Sequence, residues 1–326
     1  MSVFDRLTIN AAFAQGWALS RRPYLPAIAV CALLFMLNGI LQPRTLRPES
    51  IVADVATYLP LILLAVGQTY VVFASDIDLS VGSIVSLVNV VTVSVMAALG
   101  GGAAAILAGI LAGVLVGMLC GALNGFCVAV MRFQPIVATF ASGIVFAGLA
   151  LWVLPQAGLP TPDAYWETYG ENLAGIPFVL WVLAGTCGIV TLIAKLVFCR
   201  SLLAVGGHMQ SAYQSGLAVP RLRIQAYILC GLFAALAALC LTGDTASGDP
   251  LLGAKSTLGS VAAVVLGGTA LSGGRGSALG SIFGAITLGL VGSVVFFAGV
   301  PFEYQNLVQG LIVLAALAGG VLVARR

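Results

Sequence analysis

The chain has 326 residues, of which 60% are hydrophobic and only 8% are charged. A soluble globular protein carries roughly 25% charged residues, so this composition excludes a soluble globule and predicts a surface that faces lipid. The net charge of +3 comes from 14 basic and 11 acidic residues with no basic run, which excludes nucleic-acid binding as the leading function.

Long apolar runs recur along the whole chain. Because a membrane-spanning helix needs about 20 mostly apolar residues, they predict an all-α polytopic membrane protein with about ten transmembrane helices. The runs cover 24–42, 51–74, 81–99, 102–131, 135–154, 177–197, 224–243, 257–271, 278–298 and 304–323. The eighth is short and glycine-rich, so it could be a broken or re-entrant element. The loops are too short for a soluble domain, and residues 1–326 are predicted to form one transmembrane domain.

The basic residues predict the orientation. With the N-terminal segment 1–23 in the cytoplasm as a retained segment, alternation leaves only Arg44, Arg47 and Lys255 outside among the 14 basic residues. The positive-inside rule therefore predicts an even number of spans and two cytoplasmic termini. It also places residues 155–176 in the periplasm, where their aromatic side chains could anchor helix ends or meet a partner, and residues 198–223 in the cytoplasm.

The third and fourth runs carry contrasting periodic patterns. In the fourth, glycines recur every four residues, which predicts one flat helix face against which another helix can pack closely: Gly109, Gly113, Gly117, Gly121 and Gly125. In the third, polar residues recur every third position and wind around the helix: Ser80, Ser83, Ser86, Asn89 and Thr92. That helix is predicted to be surrounded by protein or water, and its polar groups either line a translocation path or form interhelical hydrogen bonds.

Two carboxylates, Asp76 and Asp78, join the second run to the third. Charges at membrane depth are costly and tend to mark function. Asp78 or Ser80 could instead cap the third helix, and Asp76 could be either a solvated loop acid or a gate. The predicted substrate path consists of Asp76, Asp78, Ser80, Ser83, Ser86, Asn89 and Asn124.

No enzyme motif is present in the sequence. No glycine precedes a lysine, and the glycine-rich stretch 267–277 lacks the lysine of a phosphate-binding loop. His208 is the only histidine, and the seven cysteines contain no Cys-x-x-Cys pair, so we expect neither a metal site nor a disulfide framework. We therefore expect neither a catalytic constellation nor a cofactor in this chain. If ATP powers it, another subunit must bind the nucleotide.

Residues 200–223 form the longest predicted internal loop. Residues 209–215 predict a short helix bounded by glycines, with Pro220 beyond it. Such a helix suits docking against a soluble partner, although the segment could also be an ordinary connection. The predicted docking residues are Gly206, Gly207, His208, Ala212 and Gly216.

In these segments the chain resembles the permease subunit of bacterial ATP-binding-cassette sugar importers of the ribose, xylose and arabinose type. The resemblance covers residues 50–320 in ordered blocks, at 78–83, 124–125, 134–139, 200–219, 227–238, 260–285 and 305–314. Departures indicate a divergent member. Ser75 and Asp76 replace two glycines, Ala147-Gly148 replaces an arginine-glycine pair, His208 replaces an asparagine, and Thr257 stands where the family usually has an acid.

The resemblance implies a machine of several subunits in the bacterial inner membrane. Two permease copies, identical or paralogous, would form the path between them, and two ATP-binding subunits would dock beneath on the segment 206–216. A periplasmic solute-binding protein would deliver a monosaccharide or a related small polar solute. The alternatives are an importer of the same type for a nucleoside, a signalling sugar or a branched-chain amino acid, and an ion-driven secondary transporter.

Overall fold

The computed structural model describes residues 24–305, 307–308, 310–312 and 314. The N-terminal segment 1–23 and most of the tenth predicted span lie outside these residues. Helices in chain order are α1 (Leu25–Leu41), α2 (Pro48–Phe73), α3 (Val81–Ala98), α4 (Ala103–Ala129), α5 (Pro135–Val153), α6 (Asp163–Gly170), α7 (Phe178–Lys195), α8 (Val197–Gly207), α9 (Met209–Gln214), α10 (Val219–Thr245), α11 (Ser256–Leu266) and α12 (Ala278–Phe297).

Seven of these helices are long and apolar enough to cross a membrane: α2, α3, α4, α5, α7, α10 and α12. They coincide with the second to seventh and the ninth predicted runs, which confirms a helical, polytopic membrane protein. The first run is α1, with 17 residues. The total of ten spans and the cytoplasmic position of both termini stay predictions.

Two predicted loops contain regular structure. Residues 198–223 are not a plain loop, because they hold most of α8, all of α9 and the start of α10. Residues 155–176 hold α6, the strands β1 (Leu159–Pro160) and β2 (Asn172–Leu173), and the first residue of β3 (Ile176–Pro177). β1 pairs antiparallel with β4 (Ser247–Gly248), and β2 pairs with β3. The short helix predicted at 209–215 is confirmed as α9, over Met209–Gln214.

The core of the bundle is α10, which packs against α2, α3 and α4. All five glycines of the predicted stripe on α4 are buried, but they serve two neighbours. A Cβ on Gly109 would lie 2.6 Å from Met96 Cγ of α3, and one on Gly117 would lie 2.6 Å from the Gly231 carbonyl oxygen of α10. Because these glycines have no side chains, the backbones of the helices approach each other closely inside lipid.

The eighth predicted run folds as a half-length helix. α11 has 11 residues, about half of what a bilayer needs. A Cβ on Gly259, in its first turn, would lie 3.4 Å from Leu61 Cδ1 and 4.0 Å from Leu288 Cδ2. Leu61 and Leu288 lie near the middle of α2 and of α12, so α11 begins halfway across the bundle. Lys255, which precedes α11, therefore lies at mid-depth and not at the outer surface as predicted.

Residues 246–255 connect α10 to this half-helix, and we call them the re-entrant segment. They run along α3 from the level of Asn89 to that of Ser86, with hydrogen bonds to both side chains. Ala246, at the end of α10, adopts a left-handed conformation with φ of 50°, which turns the chain back into the bundle. Hydropathy could not reveal this path, because the segment is neither apolar nor helical.

Candidate functional site

The loop between α2 and α3 folds back into the bundle and buries a polar triad of Asp78, Ser80 and Asn124. Asp78 Oδ1 accepts hydrogen bonds from the Ser80 backbone N–H at 2.9 Å and from Ser80 Oγ at 2.6 Å. Asn124 Nδ2 donates to Ser80 Oγ at 2.7 Å and lies 3.4 Å from both carboxylate oxygens. All three side chains are buried, and these hydrogen bonds offset the cost of burying their polar groups.

The prediction that Asp78 or Ser80 caps α3 is wrong in its details. Ser80 is the N-terminal flanking residue of α3, and neither its side chain nor that of Asp78 bonds a free N–H inside the first turn. Asp78 instead bonds the N–H of Ser80 itself, one residue before the helix. The local hydrogen bond is real, but it fixes the loop against α4 rather than capping α3.

Two further helices hold the backbone of this loop. The Leu79 N–H donates to Thr139 Oγ1 of α5 at 3.0 Å, and Thr139 Oγ1 in turn donates to the Ile77 carbonyl at 3.3 Å. The side-chain amide of Gln68, in α2, faces the backbone of Asp78. Its oxygen accepts from the Asp78 N–H at 3.1 Å, and its nitrogen donates to the Asp78 carbonyl at 3.3 Å. The loop backbone is thus satisfied inside the bundle, as apolar surroundings require.

Asp76 forms a buried ion pair with Arg223 at the start of α10. Arg223 Nε donates to one carboxylate oxygen at 2.9 Å and Nη2 to the other at 2.8 Å. The side chains are only 3% and 12% exposed, so Asp76 is not the solvated loop acid that the sequence allowed. Burial raises the pKa of the Asp76 carboxyl, and the hydrogen bonds and charge of Arg223 oppose that rise.

The polar row on α3 is engaged with the re-entrant segment. Ser86 Oγ accepts from the Gly253 N–H at 3.0 Å. Asn89 Oδ1 accepts from the Asp249 N–H at 2.7 Å, while its Nδ2 donates to Thr242 Oγ1 at 2.7 Å. Of the two predicted roles for these polar side chains, the bonds match hydrogen bonding within the subunit. A role in lining a path stays a prediction.

The other members of the row behave differently. Thr92 is buried with its hydroxyl unpaired among the described residues. Ser83 is half-buried beside Gly143 of α5. The predicted path residues other than Ser83 therefore separate into the Asp78 triad, the Asp76–Arg223 pair and the contacts of α3 with the re-entrant segment.

The predicted docking residues surround α9. Gly206 packs so closely on the Phe73 carbonyl and on Gly274 that a Cβ would overlap the Phe73 oxygen. Ser75 Oγ donates to the Gly206 carbonyl at 3.1 Å and also contacts the Ser272 carbonyl. Ser75 thus joins the α2–α3 loop to the end of α8 and to the glycine-rich stretch, within two residues of Asp76.

The remaining docking residues differ in exposure. Gly207, His208 and Gly216 are exposed, but Ala212 is buried in a small apolar cluster with Val205 and Val219. Tyr213, on the outer face of α9, is 70% exposed. A cavity of about 760 Å³ opens beside α9, with the Asp76–Arg223 pair and Arg132 in its lining.

Sequence reasoning missed several partners. Arg223, Thr139, Ser75 and Thr242 complete the polar contacts but follow no periodic pattern. One signal was available in the sequence: the acid at Asp76 lies beside a span, and a charge there needs a partner of opposite sign.

Comparison with known proteins decides the family. Residues 50–317 match the protein family described as "Branched-chain amino acid transport system / permease component". The chain belongs to this permease family. The permease is 35% identical to the ribose import permease protein RbsC of Bacillus subtilis, over 87% of this chain and 88% of the relative. It is 30% identical to the L-arabinose ABC transporter permease protein AraH of Azospirillum brasilense, over 95% and 91%.

A third relative is named for a different solute. The permease is 30% identical to the autoinducer 2 import system permease protein LsrC of Escherichia coli, over 90% of this chain and 85% of the relative. The family and its relatives establish a membrane-embedded permease component of an ATP-binding-cassette importer, as the ordered motifs predicted.

Proposed function

We propose that the permease forms the translocation path of an importer for a sugar or a sugar-like small polar solute, as a non-catalytic subunit in the bacterial inner membrane. The observation that carries this proposal is the family match over residues 50–317, together with relatives named for ribose, L-arabinose and autoinducer 2. Its partners are an ATP-binding subunit, a periplasmic solute-binding protein and a second permease, identical or paralogous.

The charges at the two ends of the bundle support the orientation. The loops around Ser75, Gln134 and Met209 meet at one end, and the glycine-rich stretch joins them through Gly274. We call this the basic end, because its arginines are Arg132, Arg221, Arg223 and Arg275. The opposite end carries Asp163, Glu167, Glu171 and Asp244. The positive-inside rule places the basic end in the cytoplasm.

The ATP-binding subunit docks on α9 at this basic end. α9 presents the exposed side chains of Met209 and Tyr213 outward while Ala212 anchors it to the subunit. Movement of α9 reaches the Asp78 triad by a short route, because Ser75 bonds Gly206 directly and Asp76 follows Ser75 in the chain. ATP shifts the permease between two states only if the ATP-binding subunits bind α9 with different affinity in each state.

Uptake driven by ATP tests the proposal. The permease, its ATP-binding subunit and its solute-binding protein are reconstituted in liposomes without any ion gradient. D-ribose, L-arabinose, autoinducer 2, D-galacturonate and L-leucine serve as labelled probes, and the control contains an ATP-binding subunit inactivated for hydrolysis. We expect ATP-dependent accumulation of one of the first four probes. Accumulation of L-leucine alone would replace the sugar assignment, and accumulation that needs an ion gradient instead of ATP would overturn the proposal.

A further inference from the structure

Lys255 places a positive charge at mid-depth in the bundle. It directly precedes α11, whose first turn packs against the middles of α2 and α12. The side chain is exposed on the surface of the subunit, and its neighbour Leu258 is 75% exposed. Ionisable side chains at this depth are rare and almost always face a water-filled cavity or a charged partner.

The subunit offers Lys255 no counter-charge among the described residues. Within residues 24–305 the one ion pair closer than 4.0 Å joins Arg223 to Asp76, at the basic end. The nearest acid in the re-entrant segment is Asp249, whose Oδ1 accepts the Leu251 N–H. Lys255 therefore needs water or an anion from outside its own subunit, because an unpaired ammonium against lipid chains is costly.

The fold around Lys255 indicates a fixed position. The re-entrant segment is held against α3 by the bonds of Ser86 and Asn89. The Gly82 N–H donates to Thr257 Oγ1 at 3.1 Å, which secures the first turn of α11. The start of α11 adds positive potential of the same sign as the ammonium. A cation held this firmly at mid-depth suits recognition of a negative group on a passing solute.

We infer that Lys255 faces the translocation path and binds an anionic group, a carboxylate or a phosphate, on the transported solute. This inference rests on the proposed function and narrows its substrate class from sugars to acidic sugar derivatives. The negative group bonds the ammonium at mid-depth while the hydroxyl groups of the solute meet polar surfaces elsewhere in the path.

The first test measures the charge of the solute. The solute-binding protein is titrated with matched pairs of compounds: D-galactose and D-galacturonate, D-glucose and D-gluconate, D-ribose and D-ribose 5-phosphate. We expect the acidic member of one pair to bind more tightly than its neutral partner by at least about tenfold, because the binding protein must select, through a charge-assisted hydrogen bond of its own, the same acidic solute that the permease carries. Binding of neutral members alone would overturn the inference and leave the importer assignment intact.

The second test measures the role of the ammonium in the complete transporter. ATP-driven uptake of the acidic compound so identified is compared for Lys255→Gln, Lys255→Arg and the control Lys195→Gln, which removes an exposed charge at the end of α7. We expect Lys255→Gln to lower uptake about tenfold or more through a raised KM, and Lys255→Arg to stay within about threefold of the parent, because arginine keeps the charge.

Two results of the second test would contradict the inference. Uptake by Lys255→Gln equal to that of the parent would show that the charge does not meet the solute. Loss of subunit assembly in Lys255→Gln, measured by size-exclusion chromatography of the complex, would assign Lys255 to a contact between permease copies. Absence of ATP-driven uptake of every probe by the unaltered complex would instead count against the proposed function itself.

Discussion

The interface between α4 and α10 and the contact between α3 and the re-entrant segment hold the same bundle together by opposite means. In the first, glycines bring two helix backbones into contact, as at Gly117 and Gly231. In the second, the side chains of Ser86 and Asn89 bond backbone groups that no helix satisfies. Close packing serves where the backbone is helical, and polar side chains serve where it is not.

The difference follows from the solvent. Lipid gives no hydrophobic drive for one apolar helix to pack on another, so close approach and dispersion must stabilise the pair. Lipid also provides no partner for an open backbone, so a non-helical segment must be bonded from within the protein. Larger side chains should therefore disrupt the glycine interface, whereas the loss of hydrogen bonds should disrupt the polar contacts.

The largest effect is expected at the glycine interface. A leucine at Gly121 would overlap the backbone oxygen of Tyr227 in α10, and the two central helices cannot separate without losing the core. Gly121→Leu should abolish most of the folded permease, as measured by the monodisperse fraction in detergent. The matched control is Gly148→Leu on α5, where an added Cβ meets nothing within 4 Å. Equal yields of the two variants would refute the account of this interface.

The next effect concerns the buried ion pair. Asp76→Ala leaves Arg223 buried without its partner, which should cost about 3–5 kcal/mol of stability. The double variant Asp76→Leu with Arg223→Met replaces both charges with apolar groups and should recover most of that loss. The control is Glu167→Ala, which removes an exposed acid. Thermal unfolding of the purified permease measures all three, and a double variant as unstable as the single one would contradict the ion-pair account.

A smaller effect is expected where α3 bonds the re-entrant segment. Asn89→Leu leaves the Asp249 N–H and the Thr242 hydroxyl without their Asn89 partner, which should cost about 1–3 kcal/mol. It should also impair transport more than Leu99→Ala, which alters a leucine that is 61% exposed. Uptake and thermal unfolding of the two variants provide the measurement. Equal transport defects would remove α3 from the predicted path.

The smallest effect on stability is expected at the docking segment. An added Cβ at Gly207 meets nothing within 4 Å, so Gly207→Leu should leave the fold intact yet separate ATP hydrolysis from uptake in the complex. Ala212 cannot serve the same test, because it is buried with Val205 and Val219 and a bulky side chain there would disturb that cluster. Normal coupling of hydrolysis to uptake in Gly207→Leu would contradict docking at α9.

The sequence predicted those features that depend on neighbouring residues. Four-residue spacing placed Gly109 to Gly125 on one face of α4, and flanking glycines marked α9. The same reasoning could not pair Asp76 with Arg223, which lies 147 positions away, because the pair depends on how distant helices meet. It also misplaced Lys255, since a charge count assigns each loop to a membrane surface and cannot detect a segment that folds back halfway.

The central claim is that the permease has no driving force of its own and works only through a separate ATP-binding subunit. The most direct measurement is solute accumulation by the purified permease alone in liposomes under an imposed sodium or proton gradient, with the solute of the complete importer as the labelled probe. The account predicts no accumulation above the level of protein-free liposomes. Uphill accumulation by the permease alone would contradict it.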